Sequence, residues 1–317
     1  MRERPIQFYS EGIKLLGSLW LPDDYQEGQK LPCVIPCSGT TGLKAVYPEL
    51  YARFFTQYGY AVIGFDYRGW APSEGPVGYT SLEGEYQDIL AAYTFATVQP
   101  EIDPANIGLF GWGFAAAIVI MLAADYPEIK AVACGNGVYN GKKMLQGQPA
   151  YPVYLQLAEA ARQDRIKRVL TGEGDFVMPY ETISKPEQYV GDGGARRDYQ
   201  DKTLKRVNPD IQEVLMRDYG GAENFPPKQS WILRDSYMRM NAGRYIREIA
   251  PRGVFLCGSI HDTAYPYEQT TDMANLAGPG CVLYPVDGSH NDWMFDDDPR
   301  FLNFIDAMVR FFDSYLK

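Results

Sequence analysis

The chain has 317 residues, of which 46% are hydrophobic and 22% are charged. This composition is that of an ordinary globular protein and excludes a disordered or fibrous chain. Forty acidic against thirty basic residues give a formal net charge of −10, which disfavours binding to nucleic acid or to an anionic membrane. We therefore expect neither of these as a partner.

The first residues of the chain and its cysteines indicate the cellular compartment in which we expect the protein. The first residues, MRERPIQFYSEG, lack the apolar segment of a signal peptide, and no apolar run reaches the length of a membrane span. The five cysteines are odd in number, and four of them lie in apolar runs typical of buried strands. We predict reduced core thiols in a soluble, cytoplasmic protein.

Short β-rich runs alternate with helical patterns along most of the chain. Such alternation builds a parallel sheet with helices on its faces. The first two strands are joined instead by a short turn at Glu11 and Gly12, so an antiparallel hairpin should open a mostly parallel sheet. The predicted strands are 13–21, 31–37, 61–66, 107–111, 129–135, 254–258 and 282–286, and the predicted helices are 47–58, 83–98, 114–126, 267–277 and 299–315.

The alternation breaks between about residues 138 and 250, where the chain has helical patches, Gly/Pro breaks and charge clusters. We predict a cap at 138–249, inserted into a core formed by 1–137 and 250–317. The cap is rich in tyrosines, which either pack it against the core or contact a substrate with an apolar or aromatic part. A basic stretch at 196–206 is interpreted as a solvated helix face.

The most informative segment is a strand, a sharp turn and an apolar helix at 103–117. The turn reads GWGFA at 111–115 and resembles the nucleophile elbow, G-x-S-x-G, of the α/β-hydrolases. In that motif a strained turn lifts the serine hydroxyl above the sheet, and small flanking residues let helix and strand approach closely. Gly111 and Ala115 supply the small residues here. Gly113 stands at the nucleophile position, so the hydroxyl is missing.

A glycine at this position should preserve the fold and abolish nucleophilic catalysis. The elbow conformation costs a residue with a Cβ about 1–3 kcal/mol, which glycine avoids. Removal of the serine from such a triad lowers kcat by about a million-fold.

Two later loops continue the family order of nucleophile, acid and base. The chain has only two histidines, His261 and His290, and both fall in these loops. An imidazole suits a general base near neutral pH, and an aspartate on its Nδ1 side fixes its tautomer. We predict Asp262 as the acid and His290 as the base. His261 is interpreted as a neighbour of the acid, and Asp287 and Asp292 are weaker candidates for the acid.

The turn after the third strand, CSGTTG at 37–42, occupies the place of the family's oxyanion loop, with Ser38 where a histidine is common. Backbone N–H groups stabilise the developing charge in such loops. The resemblance implies donors from Phe114 and from either Thr40 or Thr41, and the choice between the threonines stays open.

The segment DYRGWAPSEG at 66–75 closely matches the family's D-x-R-G-x-G-x-S-x-G loop. We expect its Asp66 and Arg68 to hold the loop by hydrogen bonds. Candidates for substrate contact are Trp112, Tyr139 and Tyr154. We predict no cofactor, because the only GxG near a strand lacks the rest of a dinucleotide fingerprint and two histidines give no zinc spacing.

The resemblance covers 5–137 and 250–317 and implies an α/β fold, with a mostly parallel sheet flanked by helices and a helical cap insertion. It is strongest toward cap-bearing dienelactone-hydrolase-like and acyl-peptidase-like groups, but this fold hosts several reactions. Our leading hypothesis is an acyl hydrolase of a small ester, lactone or amide whose nucleophile has been replaced by glycine.

Two alternatives stay open at this point. One is an elimination or isomerisation enzyme that uses His290 and Asp262 as its base. The other is a non-catalytic ligand binder. Under each hypothesis the partner is a small molecule, and the sequence leaves a homo-oligomer open.

Overall fold

The computed structural model describes residues 1–147, 151–177, 204–262 and 265–317. Its strands are β1 (Arg2–Ser10), β2 (Ile13–Leu21), β3 (Leu31–Cys37), β4 (Ala61–Phe65), β5 (Ile102–Trp112), β6 (Ala131–Gly135), β7 (Phe176–Val177), β8 (Gln229–Ser230), β9 (Gly253–Ser259) and β10 (Cys281–Val286). Its α-helices are α1 (Tyr47–Phe55), α2 (Leu82–Thr97), α3 (Phe114–Asp125), α4 (Gly141–Gly147), α5 (Tyr151–Thr171), α6 (Leu204–Val207), α7 (Ile211–Tyr219), α8 (Ile232–Arg239), α9 (Tyr267–Ala277) and α10 (Pro299–Leu316).

Eight of the strands form one sheet in the order β1-β2-β4-β3-β5-β6-β9-β10. The pairs β1–β2 and β2–β4 are antiparallel, and the remaining pairs of this sheet are parallel. The predicted fold, with an opening hairpin and a mostly parallel sheet flanked by helices, is therefore confirmed. The short strands β7 and β8 pair separately, within the segment predicted as a cap.

Burial explains which strands the sequence identifies most clearly. Every residue of β4, β6 and β9 is buried, because helices cover both faces of the central sheet and the strands become continuous apolar runs. The edge strand β1 instead alternates, with Ile6 and Phe8 buried between exposed neighbours.

Of the cysteines, Cys281 on the edge strand β10 is partly exposed and the other four are buried, and all five are free thiols.

The main difference from the predicted boundaries lies at β5. It begins at Ile102, five residues before the predicted start at 107. Its first part is polar and partly exposed, so it carries no apolar pattern, and Leu31 pairs with Ile102 across an irregularity in the register with β3. Residues 196–203 of the predicted basic stretch lie outside the described residues.

The helix α3 follows β5 directly and lies within the core. Nine of its twelve residues are buried, which is the pattern of a helix that is apolar on all sides. A Cβ built on Gly111 would come within 2.6 Å of the Ala115 carbonyl oxygen. Glycine at 111 is therefore required for the close approach of strand and helix that positions the turn between them.

The loop after β4 is held by buried polar contacts. Asp66 Oδ1 accepts a hydrogen bond from the Lys44 N–H at 2.7 Å, and Arg68 forms an ion pair with the fully buried Asp88 at 2.7 Å. Ser73 Oγ donates to the Asp66 carbonyl oxygen at 2.5 Å. These contacts support the structural role expected for Asp66 and Arg68.

The Asp66 carboxyl should make stability depend on pH. Burial raises its pKa from 3.8 to about 7, against the opposing effect of Lys44. Between these values the native state binds more protons than the unfolded chain, so the free energy of unfolding should fall as pH rises from about 4 to about 7. Asp66→Asn keeps an acceptor for the Lys44 N–H and cannot ionise. Relative to the parent, the variant should gain up to about 4 kcal/mol across this window.

Urea unfolding of both proteins from pH 4 to pH 7.5 measures this difference. Asp24→Asn, at an exposed position, serves as the control and should follow the parent at every pH. Parallel curves for Asp66→Asn and the parent would contradict the assignment.

Candidate functional site

The turn between β5 and α3 has the geometry of a strained elbow. Gly113 precedes α3 with φ +56° and ψ −113°, a region that residues with a Cβ rarely adopt. Its N–H donates to the Gly135 carbonyl oxygen at 3.0 Å, and its carbonyl oxygen accepts the Val138 N–H at 2.9 Å. The last residue of β6 and the chain that follows it thus hold the turn in place on both sides of the glycine.

The space beside Gly113 is open to a small side chain. Among the described residues, a Cβ built on Gly113 would have one neighbour within 4 Å, the Tyr265 Cε2 atom at 3.7 Å. That distance is an ordinary van der Waals contact. The backbone at this position therefore keeps an elbow conformation while leaving room for a residue larger than glycine.

The predicted acid and base are in contact. His290 Nδ1 lies 2.6 Å from Asp262 Oδ2, and Asp262 Oδ1 accepts the Tyr265 N–H at 2.8 Å. The Asp262 side chain is 1% exposed and that of His290 is 23% exposed. A carboxylate at Nδ1 holds the proton there, which leaves Nε2 as the nitrogen that can accept or donate a proton to a bound molecule.

The other candidates for the acid have partners other than the His290 side chain. Asp287 Oδ1 lies 3.2 Å from His261 Nε2, and both side chains are largely exposed. Asp292 accepts the Ser289 N–H at 2.8 Å and pairs with Arg300 at 3.3 Å. His261 is therefore a surface neighbour of the acid loop.

Two aromatic rings border the imidazole of His290. The Tyr265 ring meets it edge to face, with centroids 4.6 Å apart and planes at 86°. The Trp112 ring lies 5.8 Å away and is buried. Tyr265 also contacts the Cβ position of Gly113, so it connects the elbow with the base. The sequence analysis missed Tyr265, although it lies three residues after Asp262.

A buried asparagine joins the ends of three structural elements. Asn136 Nδ2 donates to the His290 carbonyl oxygen at 2.7 Å and to Ser259 Oγ at 2.9 Å, and Asn136 Oδ1 accepts the Ser259 N–H at 2.7 Å. Trp293 Nε1 donates to the same Ser259 Oγ at 2.8 Å. Asn136 has φ +41°, a conformation that asparagine tolerates better than most residues. It follows β6, and the sequence analysis missed it.

The predicted oxyanion loop lies against the elbow. A Cβ built on Gly39 would come within 3.1 Å of the Trp112 carbonyl oxygen and 3.4 Å of the Phe114 nitrogen. The N–H of Phe114, as the first residue of α3, has no acceptor within the helix. The expectation of Phe114 with Thr40 or Thr41 as donors fits this arrangement and stays a prediction.

Three hydrogen bonds hold backbone carbonyl groups of the predicted oxyanion loop. Gln229 Nε2, from β8, donates to the Thr40 carbonyl oxygen at 2.9 Å. Tyr67 OH donates to the Ser38 carbonyl oxygen at 3.2 Å, and the Thr41 carbonyl oxygen accepts the Leu43 N–H at 2.9 Å. Gln229 was not predicted from the sequence because its partner is 189 residues away.

The residues predicted to contact substrate have different surroundings. Trp112 lies beside His290, as described. Tyr139 is fully buried, and a Cβ built on Gly137 would touch both its ring and Ala116 of α3. Its ring therefore packs in the core and presents no surface to a ligand in this conformation. Tyr154 of α5 is also buried.

Tyr154 belongs to a chain of contacts that leads to the elbow. The buried Arg234 guanidinium lies 5.8 Å from the Tyr154 ring centre. On the same helix, Tyr237 packs against Phe114 with ring centroids 4.9 Å apart. The helix α8 therefore reaches the residue that follows Gly113, and α5 packs against α8 through Tyr154 and Arg234.

The described part of the chain has neither a cluster of metal ligands nor a membrane-spanning helix. Over 1–147, 151–177, 204–262 and 265–317, no group of three or more His, Cys, Asp or Glu side chains is arranged to hold a metal ion. None of the helices in these ranges is long and apolar enough to cross a membrane. The absence of a cofactor stays a prediction.

The chain is similar to known hydrolases. The profile of the X-Pro dipeptidyl-peptidase family S15 matches residues 11–163. Thiohydrolase aneE of Aspergillus aculeatus is 32% identical over 309 residues, which cover 96% of this chain and 91% of that protein.

Solved structures share the fold over nearly the whole chain. The crystal structure of hypothetical protein PA2218 from Pseudomonas aeruginosa matches with a TM-score of 0.79 and 24% identity, covering 99% of this chain and 94% of that one. The α/β hydrolase GrgF from Penicillium sp. sh18 matches with a TM-score of 0.74 and 18% identity, covering 100% and 99% of the two chains.

The contacts of Asn136 predict that it positions His290. Asn136→Gly removes the amide while keeping a residue that accepts φ +41°. The buried Ser259 N–H and His290 carbonyl oxygen then lose their partner, so the free energy of unfolding should fall by about 1–3 kcal/mol. The low-field NMR signal of the proton between His290 Nδ1 and Asp262 should shift or broaden.

A matched variant separates positioning from stability. Asn136→Asp keeps an acceptor for the Ser259 N–H but has no donor for the His290 carbonyl oxygen. It should therefore disturb the His290 signal as well. Because the chain has only two histidines, His261→Gln assigns that signal. An undisturbed signal in a destabilised Asn136→Gly protein would limit Asn136 to a role in stability.

Proposed function

The chain belongs to the α/β-hydrolase superfamily, and we propose that it is an acyl hydrolase of small esters, lactones or amides whose nucleophile position is Gly113. The observation that carries this proposal is the His290–Asp262 pair, with Nδ1 and Oδ2 2.6 Å apart, retained beside an elbow at φ +56°. Both features serve acyl transfer in this fold. The family profile and the hydrolase relatives support a hydrolase as the enzyme type.

The glycine defines which steps of acyl transfer the site can perform. Backbone donors at Phe114 and at Thr40 or Thr41 would stabilise a tetrahedral oxyanion, and His290 Nε2 would move a proton. No side-chain oxygen is available at 113 to form an acyl-enzyme. In this proposal the chain therefore binds and polarises acyl compounds but does not become acylated at this position.

Several observations support the substrate class. The rings of Trp112 and Tyr265 border His290, which favours a substrate with an apolar or aromatic part. Two relatives are named thiohydrolases, and this supports testing thioesters beside oxygen esters.

The five free thiols support the proposed cytoplasmic location.

A second candidate function is proton transfer at carbon, as in elimination or isomerisation. The specific observation in its favour is that the orientation of Asp262 is fixed by His290 and by the Tyr265 N–H, without help from a nucleophile. Such an enzyme would incorporate deuterium from D₂O into its substrate or product. An acyl hydrolase would not do so at carbon.

Gly113→Ser should create a working nucleophile. The serine Cβ has room, with Tyr265 Cε2 at 3.7 Å. The elbow conformation adds backbone strain of about 1–3 kcal/mol to any residue with a Cβ, and the serine protein would carry this strain. We expect labelling by a fluorophosphonate probe and turnover of activated short-chain esters about 10⁴-fold or more above the glycine protein. Probe labelling and ester hydrolysis of both proteins measure the difference.

Two variants in the Gly113→Ser background provide the controls. His290→Ala should abolish labelling, and Asp262→Asn should lower kcat by about 10⁴-fold because the imidazole takes the wrong tautomer. A folded serine protein with neither labelling nor turnover would contradict the acyl-hydrolase proposal.

A further inference from the structure

We infer that the space over Gly113 is an acceptor site, in which a small primary alcohol occupies the place of a nucleophilic side chain and receives the acyl group directly. The inference rests on the proposed function, because it needs an acyl compound bound at the same elbow. It goes further by assigning a second substrate and a transferase activity to this site.

The first support is the open space at the elbow. Among the described residues, only Tyr265 Cε2 comes within 4 Å of the Cβ position of Gly113. Gly39 of the oxyanion loop packs against the elbow backbone, with its Cβ position 3.1 Å from the Trp112 carbonyl oxygen and 3.9 Å from Gly113 Cα. The open space is therefore at the Cβ position of Gly113 itself, where the first atoms of a small alcohol would lie.

The second support is the position of the base relative to this space. Tyr265 contacts the Cβ position of Gly113 with its ring edge, and the same ring lies 4.6 Å from the imidazole of His290. The Tyr265 ring therefore borders both the Cβ position of Gly113 and the imidazole of His290. Because Nδ1 is bound to Asp262, Nε2 is the nitrogen that can take the acceptor's proton.

Charge and polarity favour an alcohol. Asp262, an acidic side chain, lies 2.6 Å from the base, which disfavours an anionic acceptor. The bordering rings of Tyr265 and Trp112 favour an acceptor with an alkyl part over water alone. A primary alcohol has both the proton to donate and the small alkyl group.

The transfer balances without any other reactant. The alcohol oxygen attacks the acyl carbon as its proton passes to His290 Nε2, and a new C–O bond forms. The tetrahedral oxyanion is bound by the backbone donors of the elbow and the oxyanion loop. It collapses with cleavage of the bond to the leaving group, which takes the proton from His290. The products are a new ester and the protonated leaving group.

The test uses the full-length glycine protein with a 4-nitrophenyl ester and increasing methanol or ethanol. We expect saturable acceleration of nitrophenol release, with the methyl or ethyl ester as the product detected by mass spectrometry. Gly113→Ala is the matched variant, because its methyl group fills the space and brings no nucleophile. It carries the same backbone strain as Gly113→Ser, and circular dichroism checks that both variants are folded.

The outcomes separate this inference from the proposed function. Loss of the saturable acceleration in Gly113→Ala, with turnover in Gly113→Ser, supports the acceptor site. Equal acceleration in the glycine and alanine proteins overturns it, and so does a product that is only the free acid. If Gly113→Ser is active and the glycine protein does not respond to alcohol, only the acceptor site fails. If neither protein acts on the ester, the proposed function fails and the acceptor site with it.

Discussion

The arrangement of the site depends on two backbone hydrogen bonds that hold Gly113. Its N–H donates to the Gly135 carbonyl oxygen and its own carbonyl oxygen accepts the Val138 N–H, so the end of β6 and the residues that follow it fix the elbow from both sides. Asn136, one of the two residues between these partners in sequence, carries the amide that binds Ser259 and the His290 carbonyl. This short segment therefore fixes the position of the elbow relative to the loop that carries His290. The position of β6 between β5 and β9 makes this arrangement possible.

The fold could be predicted from the sequence because its signals are local. Buried strands such as β6 and β9 are continuous apolar runs, and helices such as α9 and α10 show a clear amphipathic pattern between recognisable breaks. The early start of β5 escaped prediction because Asp103 and Asn106 give it no apolar pattern. Pairing of Ile102 with Leu31 of β3, which no local window contains, extends the strand to this earlier start.

The site was predictable where a residue type is rare or a motif is contiguous. Only two histidines occur, so the choice of His290 was narrow, and Asp262 followed from its place after a strand. Asn136 and Gln229 could not be identified in this way. Their partners lie 123 to 189 residues away, and asparagine and glutamine have no chemical role that would single them out. Tyr139 shows why an aromatic residue is a weak signal for substrate contact, because such a residue can equally pack in the core, and its ring is buried here.

The hydrogen bond from Gln229 to the Thr40 carbonyl oxygen connects the loop beside the elbow to a distant part of the chain. Gln229 belongs to β8, in the segment between β6 and β9, whereas Thr40 belongs to the loop that lies against the elbow. A displacement of β8 that breaks this hydrogen bond would remove one of the contacts that hold the Thr40 peptide group in place. A residue change at Gln229 would therefore alter the orientation of a loop 189 residues earlier in the chain.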